Sequence, residues 1–82
     1  MSYKLKQDIS IGGNLKKYRL HAKLSQELVA AKLQAQGFDI SREIISQMER
    51  GKYSIRVSVL LALAELYRIS IQDFFADLEM MV

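Results

Sequence analysis

The stretch Leu24–Gly51, LSQELVAAKLQAQGFDISREIISQMERG, predicts two short helices joined by a turn. The first helix has an apolar face made of Leu24, Val29, Ala30 and Leu33. Ser25 is expected to cap its start, because a serine hydroxyl can accept a hydrogen bond from an unpaired backbone N–H of the first turn. Gly37 is expected to end it, because glycine adopts a left-handed conformation without a Cβ clash.

The second helix of the pair is expected to begin after Ser41, another N-cap candidate, and to end at Gly51. Ile45 and Met48 are three positions apart, which predicts that both face inward. Between the inward residues lie four polar side chains, Arg42, Glu43, Ser46 and Gln47, which form a polar face. That face carries more hydrogen-bonding groups than solubility alone would require, so we expect it to recognise a polar partner.

Apolar periodicity outside this pair predicts three more helices. The first has the stripe Ile11, Leu15, Tyr18 and Ala22. The fourth has Val57, Leu60, Leu63, Ala64 and Tyr67, and the fifth, capped by Ser70, has Ile71, Phe74, Phe75 and Leu78. No segment alternates with period two for long enough to indicate a strand. We therefore expect an all-α domain of five helices over residues 11–82, preceded by a flexible arm over residues 1–10.

Composition narrows the possible functions. The chain has 82 residues, half of them hydrophobic, which suits one domain with a real core. It has no cysteine, and His21 is its only histidine, so we expect no metal site, no cofactor and no catalytic triad. No apolar run is long enough to span a bilayer, and the first ten residues lack the apolar segment of a secretory signal. These features favour a cytoplasmic protein that is not an enzyme.

Charge is unevenly distributed along the chain. The net charge is only +3, but all twelve Lys and Arg residues lie at or before Arg68, whereas three of the nine acids follow it. An electropositive body with an acidic end suits a polyanionic partner on one side. Ordinary surface charge would also account for a net charge of this size.

The ordered pattern LSQxxxAxxL followed by SRxxIxxxERGK resembles the Cro/CI-repressor type (XRE-like) of helix-turn-helix DNA-binding domain. The resemblance extends from about Ile11 to Phe75. It implies a compact lambda-repressor-like fold with the motif at the second and third helices. It also implies a sequence-specific transcriptional regulator, with repression as the expected mode, of phage, mobile-element or bacterial origin.

In such domains the second helix of the motif lies in the major groove of DNA. Carried onto matching positions, the resemblance implies that bases are read by Arg42, Glu43, Ser46 and Gln47. It implies that phosphates are bound by Ser25 and Gln26. The basic residues Arg50, Lys52 and Arg56 follow the second motif helix and are expected to flank the DNA backbone, and Tyr53 is expected to add a hydrogen bond to a phosphate. Arg42 and Glu43 could instead simply pair with neighbours. Lys16 and Lys17 are interpreted as solvated surface charges.

The resemblance also implies a buried ion pair between Arg19 and Glu49, with a structural role. Two positions depart from the family pattern: Lys23 stands where the family usually turns with glycine, and Leu28 stands where it usually has a polar residue. The link between the two motif helices is also longer than in the phage repressors. We expect Phe38 and Ile40 to pack inward and anchor it.

One such module reads only a few base pairs, so we expect a homodimer on a near-palindromic operator. Apolar residues beyond the needs of a small core indicate the contact surface: Leu61, Leu66, Phe74, Leu78, Met81 and Val82. The alternative from another class is a protein-interaction module, such as an antitoxin that uses the same helical scaffold to capture a toxin.

Overall fold

The computed structural model describes residues 4–5 and 9–78, and the side chains of residues 9–78. This part of the chain contains four α-helices: α1 (Gly12–His21), α2 (Gln26–Ala35), α3 (Arg42–Glu49) and α4 (Val57–Tyr67). It also contains a 3₁₀ helix, Ile71–Phe75, and two short strands, β1 (Lys4–Leu5) and β2 (Ile55–Arg56). The fold is mostly helical, as the apolar spacing predicts.

The prediction of a fifth α-helix is wrong, because the segment after Ser70 forms the 3₁₀ helix and stops at Ala76. Ser70 does cap it: its hydroxyl accepts from the Gln72 N–H at 3.3 Å, and the Asp73 carboxylate accepts from the Ser70 N–H at 3.0 Å. The segment ends early because the Asn14 amide on α1 donates to the carbonyl of Phe74 at 2.9 Å and to that of Ala76 at 2.8 Å. Both bonds hold the chain where Ala76 is extended, with ψ at 144°, so the helix does not continue.

Two serines start the motif helices, as predicted. The Ser25 hydroxyl accepts from the Leu28 N–H at 3.0 Å, and the Ser41 hydroxyl accepts from the Ile44 N–H at 3.3 Å. Gly37 takes a φ of 95°, which only glycine adopts readily. These bonds fix where α2 and α3 begin, and so fix the angle at which the chain enters each helix.

The long link between α2 and α3 is closed by a side chain. The Gln34 amide donates to the carbonyl oxygen of Ile40 at 2.9 Å. Ile40 is buried and Phe38 is half-buried against the core, so both anchor the link as expected. The extra residues therefore form an ordered connection and leave the two helices packed on each other.

Lys23 adopts the left-handed conformation that its family usually assigns to glycine, with φ at 60°. This conformation costs a non-glycine residue on the order of 1 kcal/mol. Two backbone bonds hold the turn: the Lys23 N–H donates to the Leu20 carbonyl at 3.0 Å, and the Leu24 N–H donates to the Arg19 carbonyl at 3.2 Å. The turn therefore has the expected geometry, and the strain lies in the left-handed backbone conformation of Lys23.

The core lies between all four helices and the 3₁₀ helix. Phe74 is fully buried in it and makes edge-to-face contacts with Tyr18 and Tyr67, at ring-centroid distances of 6.1 and 6.2 Å. The sequence prediction that placed Phe74 on a dimer surface therefore does not hold for this residue. Its ring is needed to join α1 to α4.

The strands β1 and β2 pair antiparallel, Lys4 opposite Arg56 and Leu5 opposite Ile55. Two-residue strands are too short to produce a period-two pattern, so the sequence could not predict them. The remaining residues of the expected N-terminal arm, 1–3 and 6–8, lie outside the described residues.

Candidate nucleic-acid interface

The outer face of α3 presents polar side chains to solvent. Arg42, Glu43 and Gln47 are exposed, and Ser46 is half-buried beside them. All four were assigned from the sequence as base-reading residues. Their positions on one accessible helical face are what a helix that enters a DNA groove requires.

The inner face of the same helix is fixed to the rest of the fold. Ile45 and Met48 are about 2% and 1% exposed and pack in the core. Helix α3 packs against both α1 and α2. Because this face is so well buried, α3 cannot rotate without exposing it, and its outer side chains are held in a defined direction.

Arg42 and Glu43 contact each other only loosely. The Arg42 Nη2 lies 3.7 Å from the Glu43 Oε1, and the two side chains are 50% and 70% exposed. An ion pair this open to water contributes little to stability. Arg42 and Glu43 therefore do pair, as the alternative to base reading expects, but the pairing leaves both side chains accessible to a partner.

The ion pair expected between Arg19 and Glu49 is present and bidentate. Arg19 Nε donates to Glu49 Oε2 at 2.7 Å and Nη2 donates to Oε1 at 3.0 Å. Arg19 Nη1 also donates to the Leu24 carbonyl at 2.9 Å. Hydrogen bonding to Glu49 raises the pKa of Arg19. One guanidinium thus joins α1, the turn before α2 and the end of α3, with its side chain only 8% exposed.

Tyr67 on α4 lies behind this pair. Burial raises the pKa of the Tyr67 phenol, and the negative charge of Glu49 raises it further. The phenol is therefore neutral under ordinary conditions. It supplies part of the water-poor surroundings in which the Arg19–Glu49 pair is strong.

A cleft of about 570 Å³ lies between α1, the start of α2 and α3. We call it the α2 cleft; it is lined by Lys16, Arg19, Ser25, Gln26, Glu27, Arg42, Ser46, Glu49 and Arg50. It brings three predicted phosphate-binding residues beside two predicted base readers. The other three predicted phosphate contacts follow α3 in the chain and do not line this cleft: Lys52 is exposed, and Tyr53 and Arg56 are half-buried.

Lys16 also lines the α2 cleft, with Gln26 and Arg42. Its side chain is exposed, in agreement with a solvated surface charge, but the sequence analysis does not place it beside the motif. A signal was available, because Lys16 precedes Arg19 by three positions and residues so spaced share a helical face. Arg19 points toward the motif, so Lys16 does too.

The expected dimer surface is accessible in part. Leu61 is 51% exposed, and Leu66 and Leu78 are half-buried. Phe75, not among the predicted contacts, is 44% exposed. Met81 and Val82 lie outside the described residues. Leu28 is also exposed, and nothing in the structure explains an apolar residue there.

Among the described residues, no helix is long and apolar enough to cross a membrane. Within the same part of the chain, no three His, Cys, Asp or Glu side chains are grouped as a metal site would need.

A short helix anchored by its inner face, polar on its outer face and braced by a preceding helix defines the helix-turn-helix class of DNA-binding domain. The family model described as helix-turn-helix matches residues 15–74, well over half of the chain. The chain therefore belongs to the Cro/CI-type, or XRE, helix-turn-helix family, a family of DNA-binding transcription regulators. Comparison with curated proteins gives no match, and comparison with solved structures gives none.

Proposed function

We propose that this protein is a sequence-specific transcriptional repressor that binds a near-palindromic DNA operator as a homodimer, with α3 in the major groove. The observation that carries the proposal is an accessible polar face on α3, whose inner face is buried in the core, with a cationic cleft beside it. Neither feature alone would be sufficient, because polar helix faces and basic patches are both common on protein surfaces.

The base-reading role follows from the chemistry of the exposed groups. Arg42 can donate two hydrogen bonds to the O6 and N7 of guanine, a contact worth about 1–3 kcal/mol of discrimination. Glu43 can accept from the amino group of cytosine, and Gln47 can pair with adenine. Glu43 also repels phosphates, so it lowers affinity for DNA that lacks the matching base.

The phosphate-binding role belongs to the α2 cleft and the residues after α3. Lys16 and Arg50 supply positive charge there, and the start of α2 supplies backbone N–H groups that favour an anion. Such contacts set the position of α3 on the duplex without reading its sequence. We include Lys16 among them and keep Lys52, Tyr53 and Arg56 as backbone contacts that flank the groove.

A homodimer would recognise a longer operator than a single copy does, because each copy binds one half-site. Two copies on half-sites about 34 Å apart would read twice the sequence of one. The exposed Leu61 and the half-buried Leu66 and Leu78 support a contact through the C-terminal side of the domain. Binding that covers a promoter would repress it. A DNA partner also implies a cytoplasmic location in a bacterial or phage-infected cell, at the nucleoid.

The second candidate is a protein-interaction module such as an antitoxin. The exposed side chains of Leu61 and Phe75 support it, since apolar groups on a small domain can fit a protein partner. Co-purification with a stoichiometric protein partner, combined with no affinity for any duplex, would favour this candidate.

Selection of bound duplexes from a random pool tests the proposal. We expect a conserved, near-palindromic sequence, and salt dependence that reflects release of counterions from phosphates. Lys16→Ala should weaken binding to all sequences alike and reduce the slope of log K against log salt by about 1. Lys32→Ala, which removes the same charge from an exposed position outside the α2 cleft, is the matched control and should leave the slope unchanged. Recovery of unselected sequence alone would contradict the proposal.

A further inference from the structure

The side chain of Gln26 is already held in place in the protein without DNA. Its Nε2 donates to Glu49 Oε1 at 3.1 Å, and the same oxygen accepts from Arg19 Nη2 at 3.0 Å. A carboxylate can only accept hydrogen bonds, so the amide nitrogen of Gln26 must face it. One N–H of Gln26 is used in this bond, and the residue also lines the α2 cleft.

We propose that Glu49 is a positioning residue for Gln26: it orders the Gln26 amide before DNA arrives, so that the second N–H meets a phosphate oxygen in the α2 cleft. The inference rests on the proposed function and adds to it. It assigns to Glu49 a role in DNA binding besides its role in the fold, although Glu49 itself touches no DNA.

The energetic reason is the cost of ordering a side chain on binding. A free, exposed glutamine would lose its rotamer freedom when it meets the phosphate, and each side chain immobilised in this way weakens affinity roughly two- to tenfold. Gln26 loses that freedom on folding instead. The affinity for every DNA sequence then rises alike, because a phosphate contact carries no sequence information.

Two acids, Glu27 and Glu49, line the α2 cleft, and the presence of Glu49 beside the proposed phosphate contact needs an explanation, because like charges repel. Arg19 provides it: its guanidinium contacts both oxygens of Glu49, and the two side chains are only 8% and 4% exposed. The net charge of the pair is zero. Glu49 can therefore orient Gln26 without driving a phosphate away.

The chain offers two matched references for the state of a glutamine amide. Gln34 is tethered in a similar way, by its bond to the Ile40 carbonyl at 2.9 Å, but lies outside the α2 cleft. Gln72 is exposed. If the tether works as proposed, the Gln26 amide resembles that of Gln34 in the absence of DNA and differs from that of Gln72.

The test measures side-chain amide order by ¹⁵N NMR relaxation, and DNA affinity, on the full chain. The paired variant Arg19→Met with Glu49→Leu removes the tether while replacing the buried ion pair by apolar groups, a change that folds often tolerate. We expect the Gln26 amide to become as mobile as that of Gln72, while the Gln34 amide stays ordered. We also expect Gln26→Ala to weaken DNA binding about two- to tenfold less in this background than in the wild type.

The outcomes separate the positioning role from the proposed function. Wild-type DNA binding with a Gln26 amide as mobile as that of Gln72 would overturn the positioning role alone. So would additive losses for Gln26→Ala and the paired variant. A wild type that orders Gln26 but binds no duplex from a random pool would overturn the proposed function and, with it, this role. Because the wild-type relaxation measurement needs no variant, the test survives if the paired variant fails to fold.

Discussion

The two faces of α3 differ in how their side chains are held. On the inner face Ile45 and Met48 are packed in the core and Glu49 is locked by Arg19. On the outer face Arg42 and Glu43 meet each other only at 3.7 Å, in water. The side chains of the inner face stabilise the fold, whereas the hydrogen-bonding groups of the outer face remain accessible to a partner. Both kinds of face lie within the eight residues of α3, so one short helix contributes to the core and also presents accessible polar groups.

The largest expected effect compares the same residue type on the two faces. Glu49→Ala should lower the free energy of unfolding by about 3–5 kcal/mol, because it leaves the Arg19 guanidinium buried without its partner. Glu43→Ala should change it by no more than about 0.5 kcal/mol, as expected for an exposed residue. Urea unfolding measures both. Equal losses of unfolding free energy in Glu49→Ala and Glu43→Ala would contradict the distinction between the two faces.

The next largest effect concerns the close approach of Gly12 on α1 to the backbone at the end of α3. A Cβ on Gly12 would overlap the carbonyl oxygen of Glu49, whereas a Cβ on Gly13 meets nothing within 4 Å. Gly12→Ala should therefore destabilise the fold by about 1–3 kcal/mol. Gly13→Ala should stabilise it by up to about 1 kcal/mol, because alanine favours a helix. Thermal melts of the pair would contradict this packing if Gly12→Ala were neutral.

Alkaline pH tests the surroundings of the Arg19–Glu49 pair. The Tyr67 pKa is raised above its usual 10.0, so the unfolded chain releases this proton first and stability falls as pH rises past that value. At pH 11 the loss from this group should be about 1.4 kcal/mol. Tyr67→Phe should reduce the decline between pH 8 and 11, measured by urea unfolding, and Tyr18→Phe serves as control. An unchanged decline in Tyr67→Phe would contradict this assignment.

The smallest effect concerns the turn that positions α2. Lys23 occupies a left-handed conformation, so Lys23→Gly should relieve strain. Glycine also gains freedom in the unfolded chain, which offsets part of the relief, so the net stabilisation should be no more than about 1 kcal/mol. Gly37→Ala, at another position with a positive φ, should be destabilising. A loss of stability in Lys23→Gly would show that the lysine side chain has a role of its own.

Local signals in the sequence predicted most of this architecture. Caps such as Ser25 and Ser41 act within three or four residues, and apolar spacing reports which face of a helix is buried, so both can be recognised without coordinates. The Arg19–Glu49 pair was expected only through the family resemblance. It spans thirty positions, and no local pattern joins its members.

Features that depend on distant contacts were missed. The 3₁₀ helix ends where it does because Asn14, sixty positions earlier, takes the Phe74 carbonyl. Phe74 is buried by Tyr18 and Tyr67, which lie on two other helices. From the sequence alone it is one more apolar residue beyond the needs of the core. The strand pairing and the place of Lys16 in the α2 cleft likewise depend on how separate elements meet in space.

We propose that the outer face of α3 reads bases while the α2 cleft binds phosphates. The most direct test is the affinity of Arg42→Ala for a selected operator and for its single-base variants. We expect discrimination at one position to fall by about 1–3 kcal/mol, with discrimination elsewhere and the folding free energy unchanged. If Arg42→Ala keeps wild-type preference at every position, or weakens all sequences alike as Gln26→Ala should, then α3 does not read bases through Arg42 and the claim fails.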